Sequence, residues 1–119
     1  MIFALALATW ASSAAAEWTV FERDADSTTY VDRSRIKRSG DMVKVWFVFN
    51  YNKPSSMTGH SSVVSLFEYD CKDGRERLLK GTAHKGQMGD GAVIFTSDRA
   101  EPWTYIAPNN YRESRLTRA

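Results

Sequence analysis

The stretch Ser61–Thr82, SSVVSLFEYDCKDGRERLLKGT, limits the fold of this chain more than any other. Its first half alternates: Val63, Phe67, Tyr69 and Cys71 share one face, and Val64, Leu66, Glu68 and Asp70 the other. A period of two marks a strand, and Lys72-Asp73-Gly74 supplies an Asp-Gly turn signal. In the second half Arg75, Arg77 and Leu79 point one way and Glu76, Leu78 and Lys80 the other. The stretch therefore reads as a charged β-hairpin. Its acids Glu68, Asp70 and Glu76 come within reach of Arg75 and Arg77, which ties strand register to charge. Glu68 and Asp70 lie about 7 Å apart on one strand face. That spacing is open to acid–base work, but the arginines across the turn make ion pairing the simpler use of both carboxylates.

A lone hairpin is marginal in water, so the rest of the chain must supply partners for it. Met42–Tyr51 (MVKVWFVFNY) is the strongest candidate, with Val43, Val45, Phe47, Phe49 and Tyr51 on one face and Met42, Lys44, Trp46, Val48 and Asn50 on the other. Aromatic residues on both faces suit a central strand covered on both sides. Glu17–Arg23 and Thr28–Val31 alternate about the turn residues Asp24-Ala25-Asp26-Ser27 and form a first hairpin. Asp32–Ile36 resembles one helical turn capped by Asp32 and closed before Ser39-Gly40. Asn52–His60 reads as a loop, and Ala83–Gly91, with its three glycines, as irregular structure. Ala92–Thr96 is the last clear strand, followed by a loop over Ser97–Pro102 and a short apolar segment, Trp103–Ile106. Pro108 can open a weak terminal helix from Asn109. The expected fold is mainly β, in the α+β sense: a six-stranded antiparallel sheet in meander order with a short C-terminal helix.

With 119 residues the chain is one small domain, and its formal charge of +2 gives no field that would steer it to nucleic acid. Residues 1–16, MIFALALATWASSAAA, are uncharged and apolar, too short to span a bilayer, and end in an A-x-A pattern before Glu17. They read as a signal peptide lacking the usual basic start. The expected organisation is a leader at 1–16, a β-domain at 17–108 and a separate tail at 109–119. The protein is then exported, to the periplasm, the outer-membrane surface or the medium.

One cysteine is unusual in an exported domain. Cys71 has three open readings: a buried free thiol, a bridge between two chains, or half of a pair whose partner is missing. A catalytic thiol fits worst, since no base lies near it in sequence. His60 and His84 are the only histidines, in polar flanks with no metal-ligand spacing, so no metal or other cofactor is expected. No nucleophile elbow or phosphate-binding glycine loop occurs. An enzyme is not indicated. Two features remain as a candidate binding surface. The cluster Arg33, Arg35, Lys37 and Arg38 suits an anionic partner, although a solvated loop is the commoner outcome. Met88, in the Met88-Gly89-Asp90-Gly91 loop, is either an exposed soft anchor or an inward plug at one end of the sheet.

Taken in order, these motifs resemble the surface-adhesin protein E family of Gram-negative bacteria. The resemblance rests on Tyr30-Val31-Asp32 with Ser34 and Ile36, Gly40 before Val43-Lys44-Val45-Trp46, and Tyr51 with Lys53-Pro54. It continues through Ser65, Glu68-Tyr69-Asp70-Cys71, Arg75 and Arg77, then Gly86, Met88-Gly89, Gly91, Trp103, Ile106 and Pro108. It implies a curved sheet with a C-terminal helix against its concave side. It also implies a bridge from the cysteine of the Glu-Tyr-Asp-Cys strand to a cysteine near the chain end. Here the tail NNYRESRLTRA holds no second cysteine, so it reads as diverged or truncated. By function, the resemblance implies a non-enzymatic module that adheres to a protein partner, such as an extracellular-matrix or envelope protein. The alternative is a structural, self-associating envelope protein, with a homodimer as its simplest form.

Overall fold

The computed structural model describes residues 16–106. The expected leader, Ala16 apart, and the expected C-terminal helix lie outside the described residues, as does the tail. Among the described residues the only helical elements are two 3-10 turns, Arg33–Arg35 and Gln87–Gly89.

Eight strands form one open antiparallel sheet: β1 (Trp18–Arg23), β2 (Ser27–Asp32), β3 (Lys37–Ser39), β4 (Met42–Tyr51), β5 (Ser62–Asp70), β6 (Arg75–His84), β7 (Val93–Ser97) and β8 (Thr104–Tyr105). The path β1-β2-β4-β5-β6-β7 is the six-stranded meander expected from the alternation. Two short strands are added to it, β3 on β4 and β8 on β6. The sequence count of six is thus corrected to eight. Lys37–Ser39 is polar and fully exposed, so it carries no alternation to read. Backbone pairing to β4 places it there, through a two-residue turn in which Gly40 sits at φ 59°, the mirror-type geometry that joins twisted strands. The chain from β2 through the first 3-10 turn to β3 is in effect one interrupted strand beside β4.

β4 lies centrally, as its two-sided apolar pattern requires. One sheet face buries Phe21, Val31, Val43, Val45, Phe47 and Tyr69, with Ile36, Phe49, Phe67 and Ile106 packed against them. Phe47 is the hub, with ring centroids 5.6 Å from Phe21, 5.9 Å from Phe67 and 6.2 Å from Phe49. The first two are edge-to-face and the third is stacked, and such ring pairs stabilise beyond the area they bury. On the opposite face Val48 is fully buried as well. The glycine loop lies against that face: Ser62 Oγ donates to the Gly86 carbonyl at 2.6 Å and accepts from the Gly89 amide at 2.9 Å.

One irregularity decides what that second face presents. Between β5 and β6 the register steps at Leu66/Phe67, so that Leu66 pairs with Lys80 and Phe67 with Leu78. Leu79 is the extra residue of a bulge. Strict alternation puts Lys80 opposite Arg75 and Arg77; the bulge brings it to their side. The sequence-based face assignment for Lys80 is therefore wrong, and it matters for the site.

Candidate functional site

The second face is built as cross-strand rows. Trp18 pairs with Asp32, Trp46 with Leu66, and Leu66 with Lys80. Asp32 stands level with Trp46, because Val31 pairs with Phe47. Asp32 is fully buried and caps the first 3-10 turn, as the sequence indicates. Its Oδ1 accepts from the Ser34 amide at 3.0 Å and the Ser34 hydroxyl at 2.5 Å, and its Oδ2 accepts from Arg35 Nε. Burial alone would raise the Asp32 carboxyl, but the Ser34 hydroxyl, the Arg35 guanidinium and the Ser34 amide together hold it below its ordinary value.

Held this way, the Arg35 guanidinium lies 5.3 Å from the Trp46 ring centroid and 5.7 Å from that of Trp18. From the other side Lys80 Nζ lies 5.4 Å from the same Trp46 ring. Cations at this range are drawn to the negative face of an indole. Together with Val64, Thr82, Thr96 and Asp98 they line an open pocket of about 330 Å³. Trp46 is half-buried at its wall, while Lys80, Thr96 and Asp98 are exposed.

Further along this face Lys37 stands directly opposite Lys44, and Lys44 opposite Glu68. Glu68 is already engaged: Arg77 donates to its Oε1 through Nε at 2.8 Å and Nη2 at 2.6 Å. Asp70 organises the hairpin turn, accepting from the amides of Lys72 and Asp73 and from Arg75 Nε at 2.9 Å. The Arg75 bond, with the Asp73 amide second, holds the Asp70 carboxyl below its ordinary value. Trp103 then covers both guanidinium groups, 4.6 Å from Arg75 and 4.3 Å from Arg77. The carboxylates read as register pins are ion-paired as expected, and a tryptophan seals them.

The sequence-derived candidates are brought together only in part. Arg35 enters the Trp46 pocket, and Lys37 and Arg38 line a neighbouring depression of about 440 Å³ with Met42 and Lys44. Arg33 is exposed on the 3-10 turn, and Arg38, opposite Val43, belongs to the other face. Met88 lies apart, half-buried, in the left-handed region at φ 57°, with its amide donating to Asn50 Oδ1 at 2.8 Å. Cys71 is exposed at the hairpin turn, its amide bound to the Asp41 carbonyl, and partial burial of its thiol raises its pKa. His60 and His84 are less like solvated loop residues than their flanks suggest. His60 sits between the rings of Tyr51 and Phe95, and His84 ends β6, its Nε2 2.7 Å from Thr82 Oγ1. The residues missed from sequence are Trp46 and Lys80. Trp46 was visible as an aromatic residue on the mixed face of the strongest strand; Lys80 was hidden by the bulge.

A second surface is the sheet edge. Along β7, Val93 is 53% exposed, Ile94 39% and Phe95 47%. No described strand pairs with its outer side.

Fold and faces together define a small open antiparallel-sheet domain whose described ion pairs serve its own turns and strand register. Residues 18–119 match the family described as surface-adhesin protein E, and the chain belongs to that family. No curated protein matches it. Membership makes this an adhesin-like protein and supports a place at the cell surface.

Proposed function

We propose that the chain is an exported, non-enzymatic adhesin-type domain that takes a protein partner by strand addition along β7. The observation that carries this reading is the apolar outer strand Val93-Ile94-Phe95 at a sheet edge that no described strand pairs. An edge with free backbone donors and acceptors is a template for an added strand, and alternate side chains then set specificity. Ion pairing of Glu68 and Asp70 with arginine supports the non-enzymatic part, since neither is left to move a proton. A leader at 1–16, with the mature protein beginning at Glu17, accounts for export. The test is solid-phase binding of the purified protein to immobilised extracellular-matrix proteins. Wild type is expected to bind and Ile94→Lys to lose binding; binding unchanged in the variant would remove β7 from the reading.

A second reading is favoured by the same strand. An edge that accepts a partner's strand also accepts its own copy in antiparallel register, which makes the protein self-associating. Sedimentation across a concentration series separates the two, and a non-reducing gel reports whether an exposed Cys71 adds a bridge between chains.

A further inference from the structure

The Trp46 face carries a charge pattern that folding alone does not explain. Lys37 and Lys44 stand directly opposite each other on neighbouring strands, and like charges in that position destabilise a sheet. The one acid in line with them, Glu68, is committed to Arg77. None of Lys37, Lys44 and Lys80 has a carboxylate within ion-pair distance among the described residues. Lys44 and Trp46 are two residues apart on one strand, so their side chains rise from the same face about 7 Å apart. The face thus runs from a lysine pair, across a half-buried indole, to Lys80 and Arg35 on either side of that indole. Arg35 spends only its Nε on Asp32 and makes no other described hydrogen bond, which leaves guanidinium N–H donors available.

We infer that this groove binds an anionic polysaccharide, with a sugar ring on Trp46 and sulfate groups on the flanking lysines and Arg35. Two features favour a glycan over another polyanion. The C–H bonds of a sugar ring are weakly positive and suit the negative face of an indole, where they would replace the exposed Lys80 ammonium as it turns to a sulfate. The pocket wall adds the Thr82 and Thr96 hydroxyls and the Asp98 carboxylate, which can bond the neutral hydroxyls that a sugar ring carries beside its sulfates and that a DNA backbone lacks. The groove takes Thr96 from β7 but none of the apolar residues Val93–Phe95 on which the protein-partner reading rests, so the two can fail separately.

The experiment is calorimetric titration of the full chain with a heparin-derived octasaccharide, its desulfated counterpart, an oligothymidylate and phosphatidylglycerol vesicles. The sulfated octasaccharide is expected to bind, more weakly as salt rises, and several-fold more tightly than each of the others. K44Q and K80Q, both exposed in the fold, should each weaken it and each lower the slope of log affinity against log salt by roughly one. K53Q, away from the groove, should change nothing. K37Q should weaken binding while raising Tm, because it relieves the lysine pair; Tm also reports that each variant is folded. No binding of the octasaccharide at physiological salt, or equal loss in K53Q, overturns the inference. So does an oligothymidylate or vesicle affinity equal to the octasaccharide's, which would make the groove a general polyanion surface.

Discussion

At the scale of single residues Asp32 does the most with the least exposure. It caps the first 3-10 turn, neutralises one cation of the Trp46 pocket and sets where that cation points. Asp32→Ala removes a cap and a charge partner together and should destabilise the domain by about 1–2 kcal/mol, measured by urea unfolding at neutral pH. Arg35 is over a third exposed, so it can turn to water rather than remain buried and unpaired, which keeps the loss at that modest level. The same carboxyl predicts a pH dependence. Asp32 and Asp70 both titrate below their ordinary 3.8 in the folded chain. Between the lowered value and 3.8 the unfolded chain therefore holds more protons than the folded one. Their contribution is complete above about pH 4 and is lost as pH falls through the folded values. Thermal unfolding between pH 7 and pH 2.5 should show a flat upper region and a fall below about 4. Asp32→Asn and Asp70→Asn should each shallow that fall, and an unchanged slope in both would refute the assignment.

Among elements, the hairpin and the glycine loop show what pattern alone conveys and what it omits. The meander, the Asp32 cap and the pairing of Arg75 and Arg77 with Asp70 and Glu68 were legible, because each rests on alternation or on complementary charge at short range. β3 was not, since Lys-Arg-Ser has no apolar face and is held by backbone bonds to β4. Nor was the bulge: Leu78-Leu79 reads the same with or without an inserted residue, and the register step shows only when both strands are in place. The glycine loop reads as irregular, yet it is bonded to the sheet through Ser62 and Asn50. Gly89 tests how firmly. It sits at φ +75°, and an added Cβ would lie 2.8 Å from Val64 Cγ2. Gly89→Ala should cost about 1–3 kcal/mol from the backbone conformation, with the contact to Val64 adding to it. Gly40→Ala, also at positive φ but with open space around it, should cost less. Equal midpoints for the two in denaturant would mean that the loop is not packed as described.

Taken as one molecule, an open sheet has two edges, and these two are not alike. β1 carries Glu22 and Arg23, and its pairing to β2 is interrupted by a bulge between Val20 and Glu22, both devices that discourage strand addition. β7 carries Val93, Ile94 and Phe95, exposed and uncharged. Sticky behaviour should therefore come from one side of the molecule only. Val20 is itself 42% exposed, which makes it a matched control for Ile94. Ile94→Lys should abolish concentration-dependent association and partner capture, while Val20→Lys leaves both intact. Neither surface change should move unfolding free energy by more than about 0.5 kcal/mol, so loss of binding could not be laid to loss of fold. Sedimentation and solid-phase capture on the two variants decide it. If Val20→Lys is as damaging as Ile94→Lys, the contact runs through the faces of the sheet rather than its β7 edge, and the Trp46 groove becomes the place to look for the protein partner as well.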